Sequence, residues 1–163
     1  MSKVLVYIAD GMEEVECLAV VDMLRRGGAE VRMASVNGKT EVTGAHGIRV
    51  GADCLLADSD PDSADMLFLP GGMPGTKYLR ESEEVCAALK AASASGKHLA
   101  AICAAPSILG HRGILKGRKA GCYPGWEEHL EGALISQDEA TTDGHVITGR
   151  GMGCAISFSL AIG

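Results

Sequence analysis

The sequence contains no Cys-x-x-Cys pair. Its six cysteines, Cys17, Cys54, Cys86, Cys103, Cys122 and Cys154, are scattered over 163 residues, and no short Cys/His cluster has zinc-site spacing. No metal or other cofactor is expected. There is no Lys/Arg-rich run and the net charge is −6, so the electrostatic footprint of a nucleic-acid or anionic-membrane partner is missing. No apolar run approaches the ~20 residues of a membrane span, the longest candidate, near Leu99, being cut by Pro106. Met1-Ser2-Lys3 leads into a strand pattern without a secretory h-region, and a chain that is 47% hydrophobic needs no disulfide scaffold. The expected compartment is the reducing cytoplasm. Repeats and linkers are absent too, and the length suits one domain, residues 1–163, within the usual range of roughly 100 to 200.

What is present alternates between strands and helices. Val4 to Ala9 is a continuous apolar run, as a parallel strand buried on both faces reads. After Asp10-Gly11, apolar residues recur at helical spacing from Glu13 to Arg26, and Gly27-Gly28 ends that helix. Glu30 to Val36 predicts a second strand, with Asn37-Gly38 as a tight turn opening a hairpin that runs to Val50. Met66 to Leu69 is another buried strand, stopped by the loop Pro70 to Gly75. Ser82 caps an alanine-rich helix reaching about Gly96, Leu99 to Cys103 forms a strand, and Pro106 opens a short helix to about Gly110. Strands follow at Lys119 to Cys122, Ala133 to Ser136 and Val146 to Thr148, with Asp143-Gly144 as a turn before the last, and a final helix begins near Gly151. The pattern predicts an α/β doubly wound, mainly parallel sheet with helices on both faces, whose ligands collect at the carboxyl ends of the strands.

Two side chains carry the chemistry. Cys103 ends a buried strand and is followed by Ala104, Ala105 and a helix start, the geometry of a nucleophile elbow, where exposed N–H groups stabilise a thiolate. Glu16 has Ala19, Val20 and Met23 as helical neighbours, so burial would raise its pKa and fit it for proton transfer; a solvated first-turn glutamate is the competing reading, and it suits Glu13 and Glu14. Cys17, Cys86 and Cys154 read as core residues on helix faces. Gly71-Gly72 could present N–H groups to an oxyanion, or simply make a tight turn. Arg150 could hold an anion from a glycine-rich loop, and the five histidines read as surface or loop residues. No Gly-x-Ser-x-Gly motif of an α/β-hydrolase occurs, and the carboxylates of Asp10 to Glu14 would repel the phosphate of a flavodoxin ligand.

Ala9-Asp10-Gly11-Met12-Glu13-Glu14-Val15-Glu16, Leu69-Pro70-Gly71-Gly72, Ala101-Ile102-Cys103-Ala104-Ala105-Pro106 and Thr148-Gly149-Arg150-Gly151-Met152-Gly153 together resemble the DJ-1/ThiJ/PfpI family, close to its ThiJ-like bacterial branch. The resemblance implies a flavodoxin-like sandwich, a homodimer, an oxidation-prone nucleophile at Cys103, a partner carboxyl at Glu16 and an oxyanion site built from the backbones of Gly72, Cys103 and Ala104. It implies either cofactor-independent glyoxalase or deglycase chemistry on reactive carbonyls such as methylglyoxal, or a redox sensor or chaperone using the same cysteine. Protease-like members carry histidine directly after the cysteine; Ala104 stands there, so peptidase activity is not expected. Tyr123 replaces a histidine that close relatives carry near the cysteine. Relatives usually continue beyond the position of Gly163 in their last helix, which bears on the terminal contacts.

Overall fold

A computed structural model describes residues 2–162. Its centre is a seven-stranded sheet. In chain order β1 is Lys3–Ile8, β2 Glu30–Ser35, β5 Cys54–Leu55, β6 Met66–Leu69, β7 His98–Ile102, β10 Ala140–Asp143 and β11 Val146–Gly149. Across the sheet they lie in the order β10-β11-β7-β6-β1-β2-β5. All pairings are parallel except the edge pair β10 and β11. The continuous apolar runs become the inner strands: in β6 and β11 every residue is buried, since helices cover both faces.

One face is covered by α1 (Glu14–Arg26) and α5 (Ala155–Ile162), the other by α2 (Gly75–Glu81), α3 (Glu83–Ala94) and α4 (Pro106–His111). Successive strand residues point to opposite faces, so Val4, Val6 and Ile8 pack with Cys17, Val20 and Phe158, while Leu5 and Tyr7 pack with Leu79, Val85 and Leu89. Phe68 lies 5.7 Å from Phe158 between ring centroids. Burying such a side chain contributes about 2–3 kcal/mol.

From β1 the chain crosses to β2 on one side, and from β6 to β7 on the other, so the carboxyl ends of β1 and β6 form a topological switch point. The register Leu69↔Ala101 brings Gly71 level with Cys103, two residues beyond the paired ends. The sheet thereby sets the loop after β6 between α1 and the end of β7.

Several local expectations are corrected. Asn37-Gly38 is a turn, with Gly38 at φ 81°, but it joins no ladder; the hairpin is β3 (Glu41–Thr43) with β4 (Arg49–Gly51), turned by residues 44–48. The side chain of Asn37 is bonded instead to Ser35, Asp10 and the carbonyl of Glu41. Residues 75–81, after the Pro/Gly loop, form α2, whose Gly75 lies so close to Met12 that a Cβ would stand 2.7 Å from its nitrogen. Strand β8 is only Lys119–Ala120 and pairs with β9, Leu134–Ile135, outside the main sheet. The Asp143-Gly144 turn joins β11 to β10, an edge strand that sequence reading missed because Ala140-Thr141-Thr142-Asp143 has no apolar run.

Candidate functional site

Cys103 has φ 64°, the positive-φ conformation among the described non-glycine residues, and follows β7 directly. Such a conformation costs of order 1–3 kcal/mol and persists only where the surroundings hold it. Here the Cys103 N–H donates to the Gly149 carbonyl at 3.0 Å, and its carbonyl accepts from the Tyr123 N–H at 2.8 Å. Ser107 Oγ fixes the next carbonyl, that of Ala104, at 2.6 Å. The turn is thus pinned from β11, from the segment after β8 and from α4. Of the six cysteines, all free, Cys103 is partly exposed and the other five are buried.

Glu16 comes from the first turn of α1. Glu13 caps that helix, its Oε2 accepting from the Glu16 N–H at 2.8 Å, which draws Glu16 inward. The residue is 1% exposed, and Oε1 accepts from the Gly71 N–H at 3.1 Å. Burial pushes its carboxyl up to about 7, with the nearby Glu13 charge adding to the rise and the neighbouring Cys103 thiol and the Gly71 N–H opposing it. Gly71 fills the space between the two side chains. A Cβ there would stand 2.5 Å from Cys103 Cβ and 2.6 Å from Glu16 Oε1.

Glu16 and the backbone N–H groups of Ala104 and Gly72 lie near enough to the Cys103 thiol to bear on its ionisation. Burial, then the charge and hydrogen bond of ionised Glu16, push the thiol up to about 12, while the two N–H groups pull it down. The rise to about 12 belongs to the state in which the carboxyl has already lost its proton. Thiol and carboxyl are a coupled pair, holding two protons below about 7 and one between about 7 and about 12. The Cys103 N–H itself is engaged by Gly149, so the donors facing the sulfur are Gly72 and Ala104 rather than all three backbones. Helix α4 has only six residues, so its dipole is a small contributor.

Tyr123 reaches the site through its backbone; its ring is 50% exposed and lies over Gly151. Arg150 turns to the Gln137 carbonyl at 3.3 Å and bears on Cys122, away from the Cys103–Glu16 pair. Sequence reading misplaced Glu14. It is 3% exposed and holds the β3–β4 turn, accepting from the His46 N–H at 2.9 Å and the Ile48 N–H at 3.2 Å. Burial would raise its pKa, but these hydrogen bonds outweigh burial and lower it. Glu13, Glu14 and His46 offer ligand atoms within 4.8 Å of one another, yet their oxygens already serve these backbone N–H groups. The triplet His129-Leu130-Glu131 has the His-x-Glu spacing of a glutamine amidotransferase, but His129 bonds to His111 at 3.2 Å and packs on Trp126.

A doubly wound sheet, a cysteine strained at the end of an inner strand and a buried carboxyl beside it define a class of α/β proteins with a cysteine–carboxyl pair at the strand ends. The DJ-1/PfpI family matches residues 2–163, and the chain belongs to it. DJ-1 homolog B of Arabidopsis thaliana is 39% identical over 98% of this chain, and a deglycase of Thermococcus kodakarensis 35% identical over 91% of this chain and 89% of its own length. The structure of oxidised Toxoplasma gondii DJ-1 superposes with a TM-score of 0.95 at 37% identity, covering 99% of this chain and 89% of that one. The chain spans 37% and 41% of the lengths of the two Arabidopsis relatives. No helix among the described residues is long and apolar enough to cross a membrane.

Proposed function

We propose that the chain is a cofactor-independent glyoxalase or deglycase acting on reactive carbonyls such as methylglyoxal. The observation that carries this reading is the strained Cys103 set beside the buried Glu16, with Gly71 between the two side chains and the N–H groups of Gly72 and Ala104 close by. The attacking species is the minor tautomer, in which the shared proton lies on Glu16 and the N–H groups offset part of the cost of the buried thiolate. The thiolate attacks the aldehyde carbon of methylglyoxal, and the same N–H groups meet the alkoxide that forms. Glu16 protonates the alkoxide to give a hemithioacetal. The resulting carboxylate then removes the hydrogen on that carbon and returns the proton to the neighbouring carbon, giving the thioester of lactate. Water hydrolyses the thioester, releasing lactate and the free thiol. No oxidant is needed, because the aldehyde is oxidised as the ketone is reduced. The deglycase name of the archaeal relative supports carbonyl chemistry.

A lactate assay with methylglyoxal tests this reading. Wild type and Cys17→Ala are expected to form lactate over many turnovers and Cys103→Ala none. Equal, stoichiometric loss of aldehyde in all three would reduce the effect to thiol scavenging.

A second reading, a redox sensor or redox-regulated chaperone, is favoured by Cys103 being the partly exposed cysteine while the other five are buried. The similar Toxoplasma gondii protein, whose structure is that of an oxidised form, supports it. Mild peroxide should then oxidise Cys103 first, as peptide mapping would show, and earlier oxidation of Cys54 or Cys122 would contradict it. In either reading we propose a homodimer. Val15 of α1, Ile48, Met152 just before α5 and Ile156 in its first turn are large apolar side chains left exposed, and α1 and α5 pack together. A cytoplasmic setting fits six free cysteines.

A further inference from the structure

At the end of the strands opposite Cys103, a cleft of about 400 Å³ opens between α3, the turn after α4 and the segment entering β8. Lys90, Arg112, Lys116 and Arg118 line it, with Ser93 and Ile114, and none of the lining residues is acidic. Four of the chain's 15 Lys and Arg meet here in a protein of net charge −6. Among the described residues, none of the four has a carboxylate partner within 4.0 Å.

Arg118 is half-buried and its guanidinium is fixed by neutral groups only. One nitrogen donates to the Asp143 carbonyl at 3.2 Å, and another lies 3.4 Å from His145 Nδ1. A guanidinium can only donate, so Nδ1 accepts and the His145 proton sits on Nε2, directed at Ser93 Oγ 3.3 Å away. Burial and the neighbouring Arg118 lower the His145 pKa, in keeping with a neutral ring. Gly144, at φ 62°, lets the guanidinium lie across the turn, since a Cβ there would stand 2.7 Å from Nη1. The Asp143 carboxylate is turned to the Lys119 N–H at 2.7 Å. Arg118 is therefore oriented without being neutralised, and the Ser93 hydroxyl hydrogen is left to donate into the cleft. Surface arginines that serve stability alone are ordinarily solvated or ion-paired; this one is held in place with its charge uncompensated.

We propose that this cleft binds a small organic diphosphate. Four cations exceed what one phosphate would neutralise, the volume exceeds that of a single phosphate, and Ile114 and Ala94 give an apolar wall for the carbon portion. This site is independent of the carbonyl chemistry at Cys103.

Titration calorimetry of the full chain with inorganic pyrophosphate, and with orthophosphate for comparison, tests the proposal. Pyrophosphate should bind saturably at one site, and orthophosphate at least tenfold more weakly. Arg118→Gln should weaken pyrophosphate at least about tenfold, the scale of a charge-assisted hydrogen bond. Arg112→Gln, at an exposed position where folding is not at risk, should weaken it severalfold, whereas Lys77→Gln on α2 and Cys103→Ala should leave it unchanged. Absence of saturable binding would overturn the proposal. So would equal weakening by Lys77→Gln and Arg112→Gln, which would reduce the effect to net charge.

Discussion

Replacing Glu16 by glutamine removes a titration that the fold makes unfavourable, and the consequence for stability can be worked out from its burial. The folded carboxyl titrates at about 7 against an ordinary 4.5. Between those values the folded protein holds a proton that the unfolded chain has lost, so stability falls as pH rises. The contribution is fully present below about 4.5 and is lost as pH passes through about 7. The gap corresponds to about 3 kcal/mol, or roughly 6–12 °C in melting temperature for a chain of this length. It does not matter which of the two atoms releases the first proton, because linkage counts protons bound by the pair. Urea denaturation across about pH 5 to 8 should show wild type losing this stability relative to Glu16→Gln, and the difference cancels other groups, Glu14 included. A difference that stays flat with pH would mean that Glu16 titrates as a solvated carboxyl, and the coupled pair would be wrong.

Two further outcomes follow from packing. Gly71→Ala places a methyl where Cys103 Cβ and Glu16 Oε1 already stand, so it should destabilise by about 1–3 kcal/mol and slow thiol labelling of Cys103; unchanged stability and labelling would show that the pair is looser than its geometry. Ile156→Glu should convert the proposed dimer to a monomer by analytical ultracentrifugation, and a variant that still sediments as a dimer would move the interface elsewhere.

The inner strands were readable from sequence because burial on both faces leaves unbroken apolar runs, as at Val4 to Ile8 and Met66 to Leu69. The N-cap of α3 was readable for the same kind of local reason: the Ser82 hydroxyl accepts from the Val85 N–H at 3.3 Å. Edge elements such as β5 and β10 owe their form to a neighbouring strand, and α2 to contact with Met12, so short windows of sequence carry little sign of them. At the site, Cys103 and Glu16 stood out through their apolar neighbours, but 87 positions separate them and only the parallel register of β6 and β7 sets Gly71 between them. The roles of Glu13 as a cap and of Glu14 as a hairpin anchor depend on partners distant in sequence or on the side chain's own rotamer. Helical spacing distinguishes neither from a solvated glutamate.

The proton shared by Cys103 and Glu16 is central to the proposed chemistry, and the ultraviolet absorbance of the thiolate reads it most directly. Followed across pH in variants lacking the other five cysteines, wild-type Cys103 should show a minor fraction of thiolate forming in the neutral range, as the pair loses its first proton, and the rest only toward about 12. Glu16→Leu, which leaves the thiol buried without a proton donor, should move that absorbance to higher pH, and Glu16→Gln, which keeps an N–H donor, should move it less. A thiolate that appears at lower pH in Glu16→Leu would contradict the shared-proton pair, because Glu16 would then carry its charge in the resting protein and repel the sulfur.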